Sequence, residues 1–468
     1  MKFKNFRTLT IPAVYIMSRL QYTQKFFLLS ILFSIPIILG LYSFISEINI
    51  EINKTRTEKL GLHTIEPIQH LLQHVQQHRG MVIAYLGGES ELEKPLLEKR
   101  QEIEQDFIDI ERANQEFVSA SGPENPRFKE TSANLQNLKN EWDQISEKID
   151  SGTLATSLES YRLHTALAQN ILVAIAYIGD DSGLILDPYL GTYYLIDPII
   201  RSIPLISEQL GEARGLGSMI SKGRELSPDE KQTFNSILTT VNTNVGSLNR
   251  GMEIAFIENA SVQENLSGGL KDVVLQTSGF LNFINKEIVD TKVFGVQSDE
   301  YYQIATKAID GTFEFYADTS SELLLLFDQR IKELEAKRNI ITLAVGLIML
   351  FVAYLFLGFY LGLQKVIVAL RQTTEEMVSG GGGASISLDT KDELGEVASL
   401  FNRLAQALTR SNMELKETLA KQLKTEEALE VRAVELEKFN RLMVGRELKM
   451  VELKKEIAEL KEKLPPTS

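Results

Sequence analysis

The chain has 468 residues, enough for about three domains of ordinary size, and its 49 Lys and Arg against 63 Asp and Glu leave a net charge of −14. That acidity excludes general nucleic-acid binding, which needs cations along an extended surface to neutralise phosphates. The absence of cysteine excludes disulfides, thiolate metal sites, cysteine nucleophiles and iron–sulfur clusters.

Residues 1–25 form a basic lead with Lys2, Lys4, Arg7, Arg19 and Lys25 and no acid. From Phe26 to Ile45 the sequence FFLLSILFSIPIILGLYSFI carries no charge. At about 1.5 Å per residue, a helix of this length crosses the roughly 30 Å hydrocarbon layer. No small-x-small cleavage site follows, so the run reads as an uncleaved anchor and not as a signal peptide. A second charge-free run, Ile340 to Leu363, is long enough to cross with some tilt. Basic residues before the first run and Glu47 and Glu51 after it keep the N-terminus in the cytoplasm, and two spans return the chain there. The expected divisions are the lead at 1–25, spans at 26–46 and 340–363, an extracytoplasmic segment at 47–339 and a cytoplasmic tail.

The segment 47–339 reads as helical throughout, with apolar residues three and four apart in QEIEQDFIDIERANQEF and LTTVNTNVGSLNRGMEIAF. Breaks are expected at Gly87-Gly88, Ser121-Gly122-Pro123, Ser151-Gly152, from Gly179 to Pro188, at Ser227-Pro228, near Ala260 and at Phe294-Gly295. They divide the segment into about eight helices, the first continuing out of the first span and the last running into the second. Either two stacked four-helix bundles or one long bundle with broken helices fits this count.

Within it, His70, His74 and His78 follow at steps of four, seven residues after His63. Ile68, Leu72, Val75, Val82 and Leu86 are expected to form the apolar stripe on the other side. The histidines read as a polar, solvated face; a divalent-metal or pH sensor is the sharper alternative. No cofactor and no metal is expected. Arg79 and Arg214 each precede glycine on a helix. Each could clamp a carboxylate or nitrate-like anion through its planar fork, or pair with a glutamate such as Glu208 or Glu212, the ion pair being preferred for Arg214. Tyr193 and Tyr194 lie between Asp187-Pro188 and Asp197-Pro198, where Asp caps and Pro at the first helical position are expected. With Arg201 these tyrosines complete the candidate ligand-binding residues, although packed core aromatics are the plainer reading.

Two stretches, QQHRGMVIAYLGGE and SGLILDPYLGTYYLIDPIIRSIPLISEQLGEARGLGSMI, resemble the all-helical periplasmic sensing regions of bacterial chemoreceptors, sensor kinases and cyclic-di-GMP synthases, a group that includes helical bimodular and nitrate-sensing modules. The resemblance implies a ligand-sensing bundle, often dimeric across the inner membrane, without naming the small ligand.

After the second span, Ile367, Leu370, Thr374 and Met377, then Leu394, Val397, Phe401, Leu404 and Leu408, make two narrow seams joined by a glycine-rich connector. Neither seam can be buried by one short helix, whereas a parallel four-helix bundle in a homodimer satisfies both. This arrangement resembles the HAMP signal-relay module at 364–412. DELGEVASLFNRL matches the start of its second helix, including Glu393, Gly395, Phe401 and Asn402, and Ile386 and Leu388 fit the connector's packing positions. Val366 stands where the family usually has proline, and Gly380 to Gly383 is an unusually glycine-rich connector. From Leu429 a further heptad helix, within a coiled coil expected at 413–464, runs through Leu436, Met443, Met450 and Ile457 to Leu464, and Pro465-Pro466 ends it.

All five histidines lie between His63 and His164, so the tail has none to phosphorylate, and it carries no nucleotide loop or GGDEF motif. The expectation is an all-α membrane protein that is not an enzyme. It would sense a small ligand outside the membrane and signal through the relay and coiled coil to a separate cytoplasmic protein. The alternatives are a membrane-tethered coiled-coil scaffold and a sensor fragment that has lost its output domain.

Overall fold

The computed structural model describes residues 2–121, 126–220, 224–291, 293, 295, 297–379, 385–387 and 392–462. Among these every regular element is helical, and extended backbone pairs only in an isolated bridge between Glu225 and Val293. Leu388, Gly380 to Gly383, Gly122-Pro123, Phe294, Leu464 and Pro465-Pro466 lie outside the described residues. The helices are α1 (Lys2–Arg19), α2 (Tyr22–Leu86), α3 (Glu93–Ser121), α4 (Pro126–Asp150), α5 (Ser157–Asp181), α6 (Leu190–Asp197), α7 (Ile203–Ser218), α8 (Pro228–Glu258), α9 (Ala260–Ile284), α10 (Ser298–Val378) and α11 (Glu393–Glu462).

Helices α2 and α10 contain the two charge-free runs and are long and apolar enough to cross a membrane. The side chains of those runs, among them Phe33, Leu39, Leu350 and Tyr354, are exposed. A buried core helix would hide them.

The chain forms two compact units, residues 38–345 and residues 1–37 with 346–468. In the first, local chemistry sets most helix ends. Gly88 and Gly152 take positive φ after α2 and α4, where a side chain would be strained. Thr156 caps α5 by accepting from the Glu159 amide. Ser227 and Glu230 form a reciprocal capping box around Pro228 at the start of α8, and Asn259 caps α9 through the Ser261 amide. One continuous core joins Leu72 and Val75 of α2 to Trp142, Ile171, Leu210, Val241, Phe280, Phe315 and Phe327. Leu86, expected on the apolar stripe, is exposed at the end of α2, beyond the reach of that core.

The capped helix start expected at Asp197-Pro198 is absent. The backbone continues from α6 into α7 through a π-helical turn, Pro198–Ser202, whose wider ladder tolerates proline's missing N–H. The Asp197 side chain is not a cap: it accepts from Arg201 at 2.7 Å and from Ser202 at 3.3 Å. At Asp187-Pro188 the aspartate does act locally, accepting from the Tyr189 amide at 2.8 Å and Thr192 at 3.0 Å just ahead of α6.

In the second unit, α10 ends at Val378 and α11 begins at Glu393, its first turn capped by Asp392, which accepts from the Gly395 amide. Asn402 clamps the connector: its Oδ1 accepts from the Ile386 amide at 2.7 Å and its Nδ2 donates to the Ile386 carbonyl at 2.8 Å. Val366, Thr373, Ile386, Ala398 and Ala405 are buried.

Candidate functional site

Two arginines meet in the core of the larger unit. Arg79 of α2 and Arg214 of α7 are both buried, and so is Glu208, six residues before Arg214. Arg79 donates to the two oxygens of Glu208 at 2.6 and 3.3 Å and to Thr165 Oγ1 of α5 at 2.8 Å. Arg214 donates to the backbone carbonyl of Gln76 at 3.1 Å and to Thr306 of α10 at 3.0 Å, and it has no carboxylate partner among the described residues. The glutamate pair preferred for Arg214 is therefore corrected. Glu212 and Glu208 stand two and six residues before it, and neither offset shares a helix face with it.

The glycine after each arginine has a crosswise role. A side chain at Gly80 would press on Tyr302, whose ring lies 5.0 Å from the Arg214 guanidinium. A side chain at Gly215 would press on Tyr161, whose ring lies 5.7 Å from that of Arg79. Each RG pair thus places a cation and leaves room for the aromatic ring that covers the other cation. Tyr301, next to Tyr302, donates to the Ala213 carbonyl at 2.5 Å and packs where Gly217 has no side chain.

Two buried guanidinium groups thus face one buried carboxylate, which only Arg79 engages, an excess of positive charge in low dielectric. Burial raises the Glu208 carboxyl to about 7, against the pull of Arg79. Beside this pair, the Gln76 carboxamide makes no close hydrogen bond at either end among the described residues. Two cavities of about 490 and 720 Å³ open nearby, the first lined by Gln276, Thr306 and Asp310 and the second by Gly80, Ser157 and Ser218. Tyr302, whose ring covers the Arg214 guanidinium, lines both.

The histidines do not share a face. Each step of four advances about 40° around the helix, which carries His78 roughly 80° from His70. His70 is exposed and His74 is half-buried between Asp106 (2.7 Å) and Glu102 (3.2 Å). His78 is buried against Trp142, with Gln69 and Gln76 of the same helix also buried. The solvated-face reading holds for His70 and is corrected for His78, Gln69 and Gln76. His164 Nδ1 donates to the Ser160 carbonyl at 2.8 Å, leaving its Nε2 to accept from His78 Nδ1 at 2.9 Å. That assignment leaves His78 Nε2 without a partner. Burial holds His164 down at about 4 and His78 well below its ordinary value. Among the described residues no group of three or more His, Asp and Glu is placed to hold a metal ion.

Tyr193 and Tyr194 are half-buried and meet edge to face at 5.3 Å, Tyr194 packing on Gly251 of α8. Arg201 is exposed and pairs with Asp197. Neither the tyrosines nor Arg201 contact the arginine site. A second charged cluster joins Arg330 of α10 to Asp187 (2.9 Å), Thr192 (2.7 Å) and Glu58 of α2 (3.5 Å), with Tyr189 stacked on the guanidinium. Glu58 is buried and neither of its oxygens has a hydrogen-bond partner. Burial and then the nearby Asp187 raise its carboxyl to about 7.

Of the residues expected in the relay, Ile386 is buried, while Leu370, Met377, Leu394, Gly395 and Phe401 are half-buried. Ile367, Glu393, Val397 and Leu404 are exposed in the single chain, Leu404 at 58%. From Arg410 through Lys461 every residue of α11 is exposed.

No family model and no curated protein matches the chain. Among solved structures, that of the NasR transcription antiterminator is similar over 81% of this chain and 99% of that chain, with 11% sequence identity and a TM-score of 0.46.

Proposed function

We propose that this protein is a transmembrane sensor that binds a small anion between Arg79 and Arg214 and signals through a HAMP-like relay in a homodimer. The observation that carries the reading is the buried guanidinium of Arg214, which has no carboxylate partner beside a second arginine whose fork already holds one. Leaving a buried charge unpaired costs several kcal/mol, about as much as breaking a buried ion pair. A bound anion would remove that cost.

The helices that would carry the signal also build the site. Helix α2 supplies Gln76 and Arg79, α10 supplies Tyr302 and Thr306, and each contains one of the membrane-compatible runs. A ligand that draws Arg214 from Thr306 would bias the packing of α10. Ile367 near the other end of that helix, and Val397, Leu400, Leu404 and Leu408 of α11, leave open apolar positions, which a second copy in parallel register would cover. The exposed apolar ladder of α11 supports dimerisation and a separate cytoplasmic partner in the same way. The proposed topology places both termini on the cytoplasmic side of a bacterial inner membrane.

The test is a calorimetric titration of the full-length protein in detergent with formate, acetate, nitrate and chloride. Saturable binding of at least one of these anions, lost in Arg214→Ala, is the expected result. Indistinguishable heats for wild type and variant across the panel, with Trp142 fluorescence unchanged in the variant, would refute the anion site.

A further inference from the structure

We infer that Glu208 is a tethered stand-in for the ligand: its carboxylate occupies the Arg79 fork in the empty protein, and an incoming anion displaces it as Glu208 takes up a proton. The inference rests on the anion site proposed above.

The geometry is that of carboxylate recognition. Glu208 is the sole carboxylate on Arg79 among the described residues, and it accepts from both terminal nitrogens in the bidentate manner that a free carboxylate or other planar oxyanion would use. It is held there by position. Gly211 follows three residues later on α7, and a side chain at Gly211 would come within 2.7 Å of Arg79 Nη2 and 3.3 Å of the Gln76 carboxamide. Arg79, Gln76 and the backbone of α7 therefore meet without an intervening side chain.

Displacement needs a place for Glu208 to go and a way to shed its charge. Gln76 provides the first, since its buried carboxamide lies against Glu208 and makes no close hydrogen bond at either end among the described residues. It can accept from a protonated carboxyl and donate to a displaced or incoming oxygen. The surrounding charges provide the second. Glu212 of the same helix disfavours the Glu208 carboxylate, while Arg79 and, more weakly, Gln76 of α2 favour it. Tyr161 of α5 and Arg79 flank one side of the cluster, and Arg214 with Tyr302 and Asp310 of α10 completes the other. With burial added, the carboxyl is poised at about 7. An anion on the Arg79 fork puts a second negative charge beside it, which shifts the carboxyl further toward the protonated form.

The proton balance is simple. The empty site holds Arg79, Arg214 and ionised Glu208; the occupied site holds Arg79, Arg214, the anion and neutral Glu208. One proton enters with each anion from solvent, and no bond other than O–H forms. By linkage, affinity falls about tenfold per pH unit above neutrality and levels off in acid.

The experiment uses full-length wild-type protein in detergent, titrated at pH 6 and pH 8 with the same four anions in two buffers of different ionisation enthalpy. The dependence of the heat on the buffer counts protons. The expected result at pH 8 is uptake approaching one proton per anion and an affinity at least tenfold weaker than at pH 6. Glu208→Gln keeps a hydrogen-bond acceptor for Arg79 without the charge, and should bind at pH 8 at least tenfold more tightly than wild type, with no proton uptake and a flat pH profile. Binding without proton uptake in wild type overturns the stand-in role and leaves the anion site standing. Absence of binding by every anion at both pH values, in wild type and in Glu208→Gln, removes the anion site and this inference with it. Should Glu208→Gln fail to fold, the wild-type proton count decides alone.

Discussion

The His78–His164 pair makes a defined contribution to acid sensitivity. His164 is buried with its Nδ1 proton on the Ser160 carbonyl and its Nε2 lone pair committed to His78. Burial lowers it from 6.5 to about 4. A histidine with a lowered folded value contributes stability above its ordinary pKa and loses it as pH falls, because the unfolded chain binds the proton first. Between pH 7 and pH 5 the unfolded His164 becomes almost fully protonated while the folded one stays neutral. With a shift of this size, acidification costs about 2 kcal/mol from this residue alone. His164→Gln retains an acceptor for His78 and removes the titration. The assay is guanidinium unfolding of the full-length protein in detergent, followed through Trp142, the one tryptophan of the chain, which lies 5.0 Å from the His78 ring. The variant starts less stable at pH 7 because packing is disturbed, and the gap should close by about 2 kcal/mol at pH 5. Stability curves that remain parallel between these pH values would show that His164 is not held neutral by burial.

Glu58 carries the opposite sign. Its carboxyl is raised to about 7, so its contribution is full below the ordinary carboxylate range and is lost as pH rises through 7; Glu58→Gln should gain melting temperature relative to wild type between pH 5 and pH 8, and an unchanged difference would count against its burial as a charge. Removing the connector clamp with Asn402→Ala leaves both backbone groups of Ile386 without side-chain partners, at about 1–3 kcal/mol. In membranes, cysteines at Leu404 should crosslink between copies in wild type and do so less, or in another pattern, in Asn402→Ala and Phe401→Ala; no crosslinking in any background would leave the dimeric relay without foundation. For topology, single cysteines at Ser247 and Ser411, both exposed on a chain with no natural cysteine, should react with an impermeant thiol reagent in intact cells at Ser247 only, and the reverse pattern would invert the orientation.

The parts of this fold that sequence makes legible are those fixed by neighbours along the chain. A charge-free run declares a membrane-compatible helix, and Ser227-Pro228 with Glu230 declares a helix start, because each signal acts within about a turn. Arg79 and Arg214 were visible as arginines before glycine, but their crosswise relation to Tyr302 and Tyr161 was not, since it depends on which helices become neighbours. His78 was misplaced because a four-residue step is slightly more than one turn, and over two steps the drift carries a side chain from solvent to core. The Glu58–Arg330–Asp187 cluster left no signal at all: Glu58 sits in the charged stretch EINKTRTEKL, where a solvated face is the natural reading. The relay seams were assigned for four helices, while a single chain can cover only the faces its own two helices and connector turn toward each other. Hence Val366, Thr373, Ala398 and Ala405 are buried, and Ile367, Val397 and Leu404 are open.

For the proposed sensor, the arrangement of charged residues in the larger unit also constrains how a signal would leave the site. Glu208 and Arg214 both ride on α7, which continues backward through the π-helical turn at Pro198–Ser202 into α6. Helix α6 begins beside Asp187 and carries Thr192, and these two residues hold Arg330 of α10. Helix α10 is therefore gripped twice by this one continuous segment, once at Thr306 through Arg214 and again at Arg330, 24 residues further toward the second apolar run. A π-turn interrupts the regular i→i+4 ladder and is a place where a helix changes direction. Movement of α7 can be absorbed there or passed on to α6, and the buried, poorly satisfied Glu58 beside Arg330 means that the second grip is not at an energetic optimum. A contact already short of full satisfaction can be shifted by the 1–3 kcal/mol that a weakly bound ligand supplies, whereas a fully satisfied one could not. In the proposed sensor, coupling between site and membrane-directed helix thus rests on two features carried by particular residues: a π-turn that opens on Pro198, and a buried Glu58 carboxylate with no hydrogen bond among the described residues.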